Sequence, residues 1–169
     1  MKYSKEIALK GEELRRKAIE YLMKPKRYDC LCKNEKEFQK AVCKGLSEIL
    51  ENYGRAPIRS IREQFKVQVG KYQGIIDIYA IHEDDTTSII EVKHSGLRYV
   101  SHIEQCMAVG QILGYSSIFE SHMGFKSELY VIDNKISPFT LLAFQDLSIP
   151  VKLIEWQNDK VIIIDLKTI

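Results

Sequence analysis

The alternation of apolar and polar positions divides the chain into a run of helices and strands. Residues 4–22 carry Ile7, Leu14, Ala18 and Leu22 on one helical stripe, and Pro25 within the Lys24–Asp29 stretch ends it. A second helix is predicted over 34–52. Asn34 is placed to cap it, Glu37 follows three residues later as in a capping box, and Phe38, Val42, Leu46 and Ile49 recur at helical spacing. Gly54 and Pro57 close it. Strand character follows, with Ile61, Phe65, Val67 and Val69 all at odd positions. Residues 74–81 and 87–93, joined by the polar His82–Thr86 turn, read as a hairpin. Both its strands are apolar on both faces, which places it centrally in a covered sheet. A helix is then predicted over 99–121, a strand over 127–133, a helix over 139–147, and a final strand pair over 149–155 and 160–166. The order α, α, β, β, β, α, β, α, β, β describes one α/β domain with a mixed sheet.

Composition narrows the class. At 169 residues, 45% hydrophobic and 28% charged, the chain has an ordinary globular balance and little room for a second domain. No apolar run approaches the roughly 20 residues that cross a bilayer. Met1–Lys10 alternates charges with single apolar residues, unlike a secretory signal, so a cytoplasmic location with no membrane partner is expected. Cys30, Cys32, Cys43 and Cys106 are too few and too irregular for a disulfide scaffold, and Cys30-x-Cys32 is not a zinc pair. Buried or idle thiols are the better reading. The net charge of +2 hides an asymmetry: residues 1–66 hold 17 Lys/Arg against 10 Asp/Glu, and residues 67–169 hold 8 against 13. A basic half beside an acidic half suits a polyanion-binding surface next to a carboxylate-bearing site, or simply a solvated basic helix.

The chemistry concentrates in the central hairpin. With the turn centred on Asp84, Asp77 falls opposite Glu91, and Glu91 and Lys93, two apart in a strand, share a face. Two carboxylates facing each other in a covered sheet repel, and each resists desolvation. A divalent cation removes both problems, and oxygen ligands of this kind suit Mg²⁺ or Mn²⁺. Lys93 then stands beside the ion, where it can position a water or steady charge on a phosphate. The alternative is that Lys93 only neutralises Glu91 at a strand end that meets solvent.

Gly74-Ile-Ile-Asp77 followed after thirteen residues by Glu91-Val-Lys93 resembles the signature of the PD-(D/E)xK nuclease superfamily. The resemblance covers about residues 34–133 and implies a restriction-endonuclease-like αβββαβ core. Residues 1–33 would be a helical extension, and 134–169 would extend the sheet. Many relatives add an acidic ligand from the helix before the sheet. Glu35 and Glu37 are both candidates; Glu35 shares the stripe of Phe38 and is preferred, Glu37 having a capping role. Gln111-Ile-Leu-Gly-Tyr115 resembles the QxxxY motif of the RecB-like branch, which helps hold the site and its substrate. Gln105 is an alternative, but no Tyr follows it at the fourth position.

The implied function is a Mg²⁺- or Mn²⁺-dependent nuclease acting on DNA, with RNA left open. Asp77, Glu91 and the Val92 backbone carbonyl would hold the metal, and Glu35 would assist the metal or its water. Lys93 would orient the attacking water, and Gln111 and Tyr115 would shape the site. Strict specificity would need a homodimer or a partner chain. Some relatives hold an iron–sulfur cluster through three downstream cysteines; nothing after Cys106 can serve, so none is expected. His94 and Arg98 could touch a phosphate, or lie in solvent. Tyr72 and Tyr79 could stack on a base, or belong to the core. The rival readings are a scaffold that binds DNA without turnover, and an unrelated α/β domain with an accidental Glu-x-Lys.

Overall fold

A computed structural model describes residues 32–95, 102–147, 149–157 and 160–163, together with Glu12, Glu13 and Arg16. All but these three residues of the helix predicted over 4–22, Arg98, the end of the last strand and the side chain of Tyr72 lie outside the described residues.

Helix α1 (Glu35–Glu51) begins where a cap is available. Asn34 is extended, and its side chain accepts the Glu37 N–H at 2.9 Å. Glu37 returns a carboxylate oxygen to the Lys33 N–H at 2.9 Å, one residue ahead of the usual capping-box partner. Phe38, Val42, Leu46 and Ile49 are buried, as their spacing predicts.

Strands β1 (Ile58–Val69), β2 (Tyr72–His82), β3 (Thr87–Lys93), β4 (Glu128–Asp133), β5 (Val151–Gln157) and β6 (Lys160–Ile163) form one six-stranded sheet in sequence order. Neighbours are antiparallel from β1 to β3, parallel from β3 to β5, and antiparallel at β5–β6. The parallel steps require crossovers. Helix α2 (His102–Met123) makes the first and helix α3 (Pro138–Leu147) the second. On one face, α1 packs against Ile78, Ala80, Ile90, Val92 and Ile132. On the other, Ala108, Val109, Ile112 and Phe119 of α2 and Phe144 of α3 pack against Tyr79, Ile89, Leu129 and Val131. The restriction-endonuclease-like αβββαβ core is therefore present, with β5 and β6 widening the sheet.

One interruption shapes the central strands. Alternate residues of a strand share a face. Yet Ile78 and Ala80 pack under α1, while Ile76 packs under α2. The cause lies in β1, where Gln64 has φ 49°, in the left-handed region. Such a conformation in a residue other than glycine costs about 1–3 kcal/mol. The pairs Glu63–Ile78 and Phe65–Ile76 flank it, so Gln64 stands opposite Asp77. Beyond this point the hairpin rolls over, and Phe65 and Val67 join the α2 side. Phe65 stacks on Tyr79 and Tyr79 on Phe119, each at 5.2 Å between centroids, so Tyr79 is a core residue. The odd positions of β1 therefore do not mark one face. Ile61, on the near side of Gln64, pairs with Ala80 and is 38% exposed.

The far end of β4 is pinned by a buried polar network. Asp133 accepts the Ser95 N–H at 3.0 Å, the Ser95 hydroxyl, and the Gln105 amide at 2.8 Å. Gln105 also donates to the Lys135 carbonyl at 2.7 Å and accepts from the Ser137 N–H at 3.0 Å and the Thr140 hydroxyl at 2.8 Å. All four of its hydrogen-bonding sites are used, so Gln105 ties β4 to the start of α3. Replacing it by alanine strands buried donors, and Gln105→Ala is expected to cost about 3 kcal/mol in urea unfolding. Burial pushes the Asp133 carboxyl from an ordinary 3.8 up to about 6, against the hydrogen bonds from Ser95 and Gln105. The folded state then holds this proton more tightly than the unfolded chain. Its contribution to stability falls as pH rises from 3.8 to about 6. Denaturation across that range is expected to show the fall, and Asp133→Asn, less stable at every pH, is expected to lose it.

Candidate active site

The hairpin register places the charged groups. The pairs Ile78–Ile90, Tyr79–Ile89, Ala80–Ser88 and Ile81–Thr87 match the turn centred on Asp84. The ladder stops there. Asp77 and Glu91 occupy the next opposed positions with no backbone pair between them. Asp77 is held by side chains and a single amide instead. One of its carboxylate oxygens, Oδ2, accepts the Val92 N–H at 3.0 Å, and the other, Oδ1, accepts the Gln64 amide at 3.0 Å. The Asp77 backbone carbonyl accepts the Gln39 amide at 3.2 Å, and Gln64 also donates to Gln39 Oε1 at 3.4 Å.

Glu91 is 3% exposed. Its Oε1 accepts the Lys93 ammonium at 2.9 Å. Its Oε2 is buried and has no hydrogen-bond partner among the described residues. Burial, then the charge of Asp77, pushes the Glu91 carboxyl up to about 7 in spite of Lys93, and Glu35 adds to the shift. Burial acts downward on Lys93. The hydrogen bond and charge of Glu91, with Asp77 and Glu35, outweigh it and hold the ammonium above its ordinary range. The negative charge of the site thus adds to burial at Glu91 and opposes it at Lys93.

Glu35 does not turn inward as Phe38 does. It is exposed in the first turn of α1, because a helical side chain leans toward the N-terminus and there leans past the helix start. Its charge still acts on Glu91, Lys93 and His94, so it stands at the rim of the site. His94 is not a solvated loop residue. Its ring lies 5.3 Å from that of Phe38, and burial lowers its pKa, with Glu35 the leading opposing influence. Val92 gives its side chain to the core and its N–H to Asp77.

The two halves of Gln111-x-x-x-Tyr115 part company. Tyr115 is half-buried and lies against Gly74, where a Cβ would come within 2.5 Å of its ring. Burial raises the Tyr115 hydroxyl's pKa, a hydrogen bond with the Ile75 backbone opposes this, and Glu91 and Asp77 contribute. Gln111 is exposed on α2, with no hydrogen bond to the site among the described residues. Among the described residues no three His, Cys, Asp or Glu side chains gather as a metal-holding group. Burial, then Glu63, pushes the Cys43 thiol up to about 12, which keeps it protonated.

Gln39 and Gln64 are the site residues that sequence reasoning missed. A polar residue directly after Phe38, at the edge of the buried stripe, was the only signal for Gln39. Nothing in the alternation of β1 marks Gln64.

No family model matches the chain, and no curated protein matches its sequence. Among solved structures it is similar to a repair endonuclease from Pyrococcus abyssi, with 12% identity and a TM-score of 0.44, over 77% of this chain and 50% of that one. It is similar to Can2 from Sulfobacillus thermosulfidooxidans in complex with cyclic tetra-adenylate, with 10% identity and a TM-score of 0.44, over 70% and 31%. It is also similar to EndoMS in an EndoMS–dsDNA2 complex, with 16% identity and a TM-score of 0.42, over 77% and 48%. The chain thus spans half or less of the length of these proteins. Likeness at this level leaves the functional reading to the site itself. No described helix is long and apolar enough to cross a membrane.

The contact between Gly74 and Tyr115 can be tested directly. Gly74→Ala is expected to cost about 1–3 kcal/mol through overpacking. Combined with Tyr115→Ala, that cost is expected to vanish, giving a coupling of about 1 kcal/mol or more in a thermal-unfolding double-mutant cycle.

Proposed function

We propose that the chain is a divalent-metal-dependent nuclease that hydrolyses phosphodiester bonds in DNA. The observation that carries this reading is the buried Glu91 Oε2, without a partner among the described residues and opposite Asp77, in a site with more negative than positive charge. Leaving such an oxygen bare costs stability, and a cation offsets that cost.

Asp77 and Glu91 would hold Mg²⁺ or Mn²⁺, with the Val92 carbonyl as a further oxygen and waters filling the remaining positions. The hydrogen bonds already made by Asp77 leave lone pairs on both its oxygens. A bound metal would act as a Lewis acid toward the phosphate and lower the pKa of a bound water. Glu35, at the rim, would accept a hydrogen bond from such a water. Lys93 enters as a cation, because the surrounding carboxylates hold its proton. It would donate to the attacking water or to a phosphate oxygen and stabilise the charge that grows there. Tyr115 walls the site beside Gly74. The RecB-like pairing enters through this tyrosine, and exposed Gln111 would take part only by meeting substrate. The basic N-terminal half would supply non-specific, salt-sensitive backbone contacts. Sequence-specific cutting would need a second copy or a partner chain.

The test is incubation with supercoiled, linear and single-stranded DNA in Mg²⁺, Mn²⁺ or chelator. Metal-dependent cutting is expected, with Asp77→Ala inactive and Lys93→Ala slower by about 10²–10³-fold. Calorimetry is expected to show Mn²⁺ binding to the parent protein and none to Glu91→Ala. DNA retention with no cutting under any metal would point instead to a scaffold, and neither behaviour would end the nucleic-acid reading.

A further inference from the structure

Gln64 is the one residue of the site whose backbone is strained, with φ 49° in the middle of a strand. The bend it makes rolls the outer hairpin from one face to the other, and a glycine would make the same bend without strain. What glycine lacks is the amide. That amide donates to Asp77 Oδ1 at 3.0 Å and lies 3.4 Å from Gln39 Oε1. Gln39 in turn holds the Asp77 backbone carbonyl at 3.2 Å. The two glutamines thus grip Asp77 at both its side chain and its main chain, from β1 and from α1. With Val92 N–H on the other carboxylate oxygen, the plane of the carboxylate is fixed.

We infer that Gln64, backed by Gln39, is a positioning residue that fixes the Asp77 carboxylate in the orientation needed to receive a divalent cation. This rests on the metal-dependent reading of the site. Donors that orient a ligating carboxylate commonly change metal affinity or activity 10–100-fold when removed. It is from this left-handed position opposite Asp77 that the amide reaches the carboxylate. Gln64 itself supplies no ligand, and its effect passes through Asp77.

The experiment is Mn²⁺ calorimetry and DNA cutting on the parent and on Gln64→Gly, with thermal unfolding alongside. Gln64→Gly is expected to melt no lower than the parent, because glycine accepts the left-handed backbone. It is expected to bind Mn²⁺ about 10–100-fold more weakly and to cut more slowly, with the loss in rate shrinking as Mn²⁺ is raised. If Gln64→Gly does not fold, Gln64→Asn replaces it, since asparagine tolerates this backbone and withdraws the amide by one methylene. Unchanged Mn²⁺ affinity in the substituted protein would overturn the inference and leave the nuclease reading standing, with Gln64 only a bend in the strand. A parent protein that neither binds Mn²⁺ nor cuts DNA would overturn both.

Discussion

Asp77 stands where the β2–β3 ladder ends and the β1–β2 ladder is interrupted. Ile78, on one side of it, is in register with both neighbouring strands, opposite Glu63 and Ile90, whereas Ile76, on the other side, is in register only with β1, opposite Phe65. At Asp77 itself the pairings with Gln64 and Glu91 are missing, and side chains take over: its own carboxylate for the Val92 N–H, the Gln39 amide for its carbonyl. Buried backbone groups must be satisfied somewhere. Meeting that demand through side chains turns a stretch of sheet into a site, because the carboxylate is now part of the framework and cannot swing away. The same break sends the outer hairpin under α2, where Tyr115 closes against Gly74. Fold and site share a single irregularity.

Charge is the second constraint. Asp77, Glu91 and Glu35 outnumber Lys93; at Glu91 burial and then this imbalance raise the proton affinity, and at Lys93 the imbalance outweighs burial. A sheet built only for stability would remove it, since an apolar residue in place of Glu91 would pack without penalty against α2. Ile89, two residues earlier on the same face, shows that such packing is available in this strand. Retained frustration of this kind is expected where a ligand completes the structure.

Much of this was legible in the sequence. The hairpin register followed from the length of the polar turn, because antiparallel strands with apolar faces allow little slippage. Strand β3 occupies the predicted 87–93, and α1 occupies 35–51 within the predicted 34–52. Three things were not legible, each for a physical reason. The face switch at Gln64 depends on one dihedral angle that periodicity does not encode. The exposure of Glu35 depends on where the helix ends relative to the lean of its side chains, which a helical wheel ignores. The separation of Gln111 from Tyr115 depends on the rotation of α2 against the sheet. A four-residue spacing shows that two residues are neighbours on a helix, not that both face the same partner.

The bland account of Lys93, a lysine neutralising a glutamate near a strand end, can be judged against a second pair in the same sheet. Glu155 in β5 is also 3% exposed and also bound to a lysine, with Lys135 at 2.7 Å from its Oε1. Its Oε2 accepts the Ile136 N–H at 3.1 Å. Asp133, fully buried between them, has donors on both oxygens. These two carboxylates are complete, and a structural role accounts for them. Among the described residues Glu91 has the lysine but no second donor, and the carboxylate opposite it adds to the unfavourable charge there. If neutralisation were the whole role, the local backbone would be expected to supply an N–H, as it does at Glu155. Here the N–H of the next residue, Val92, goes to Asp77. The sheet satisfies one carboxylate in a way that leaves the other short of a donor, which is the asymmetry on which the proposed cation site rests.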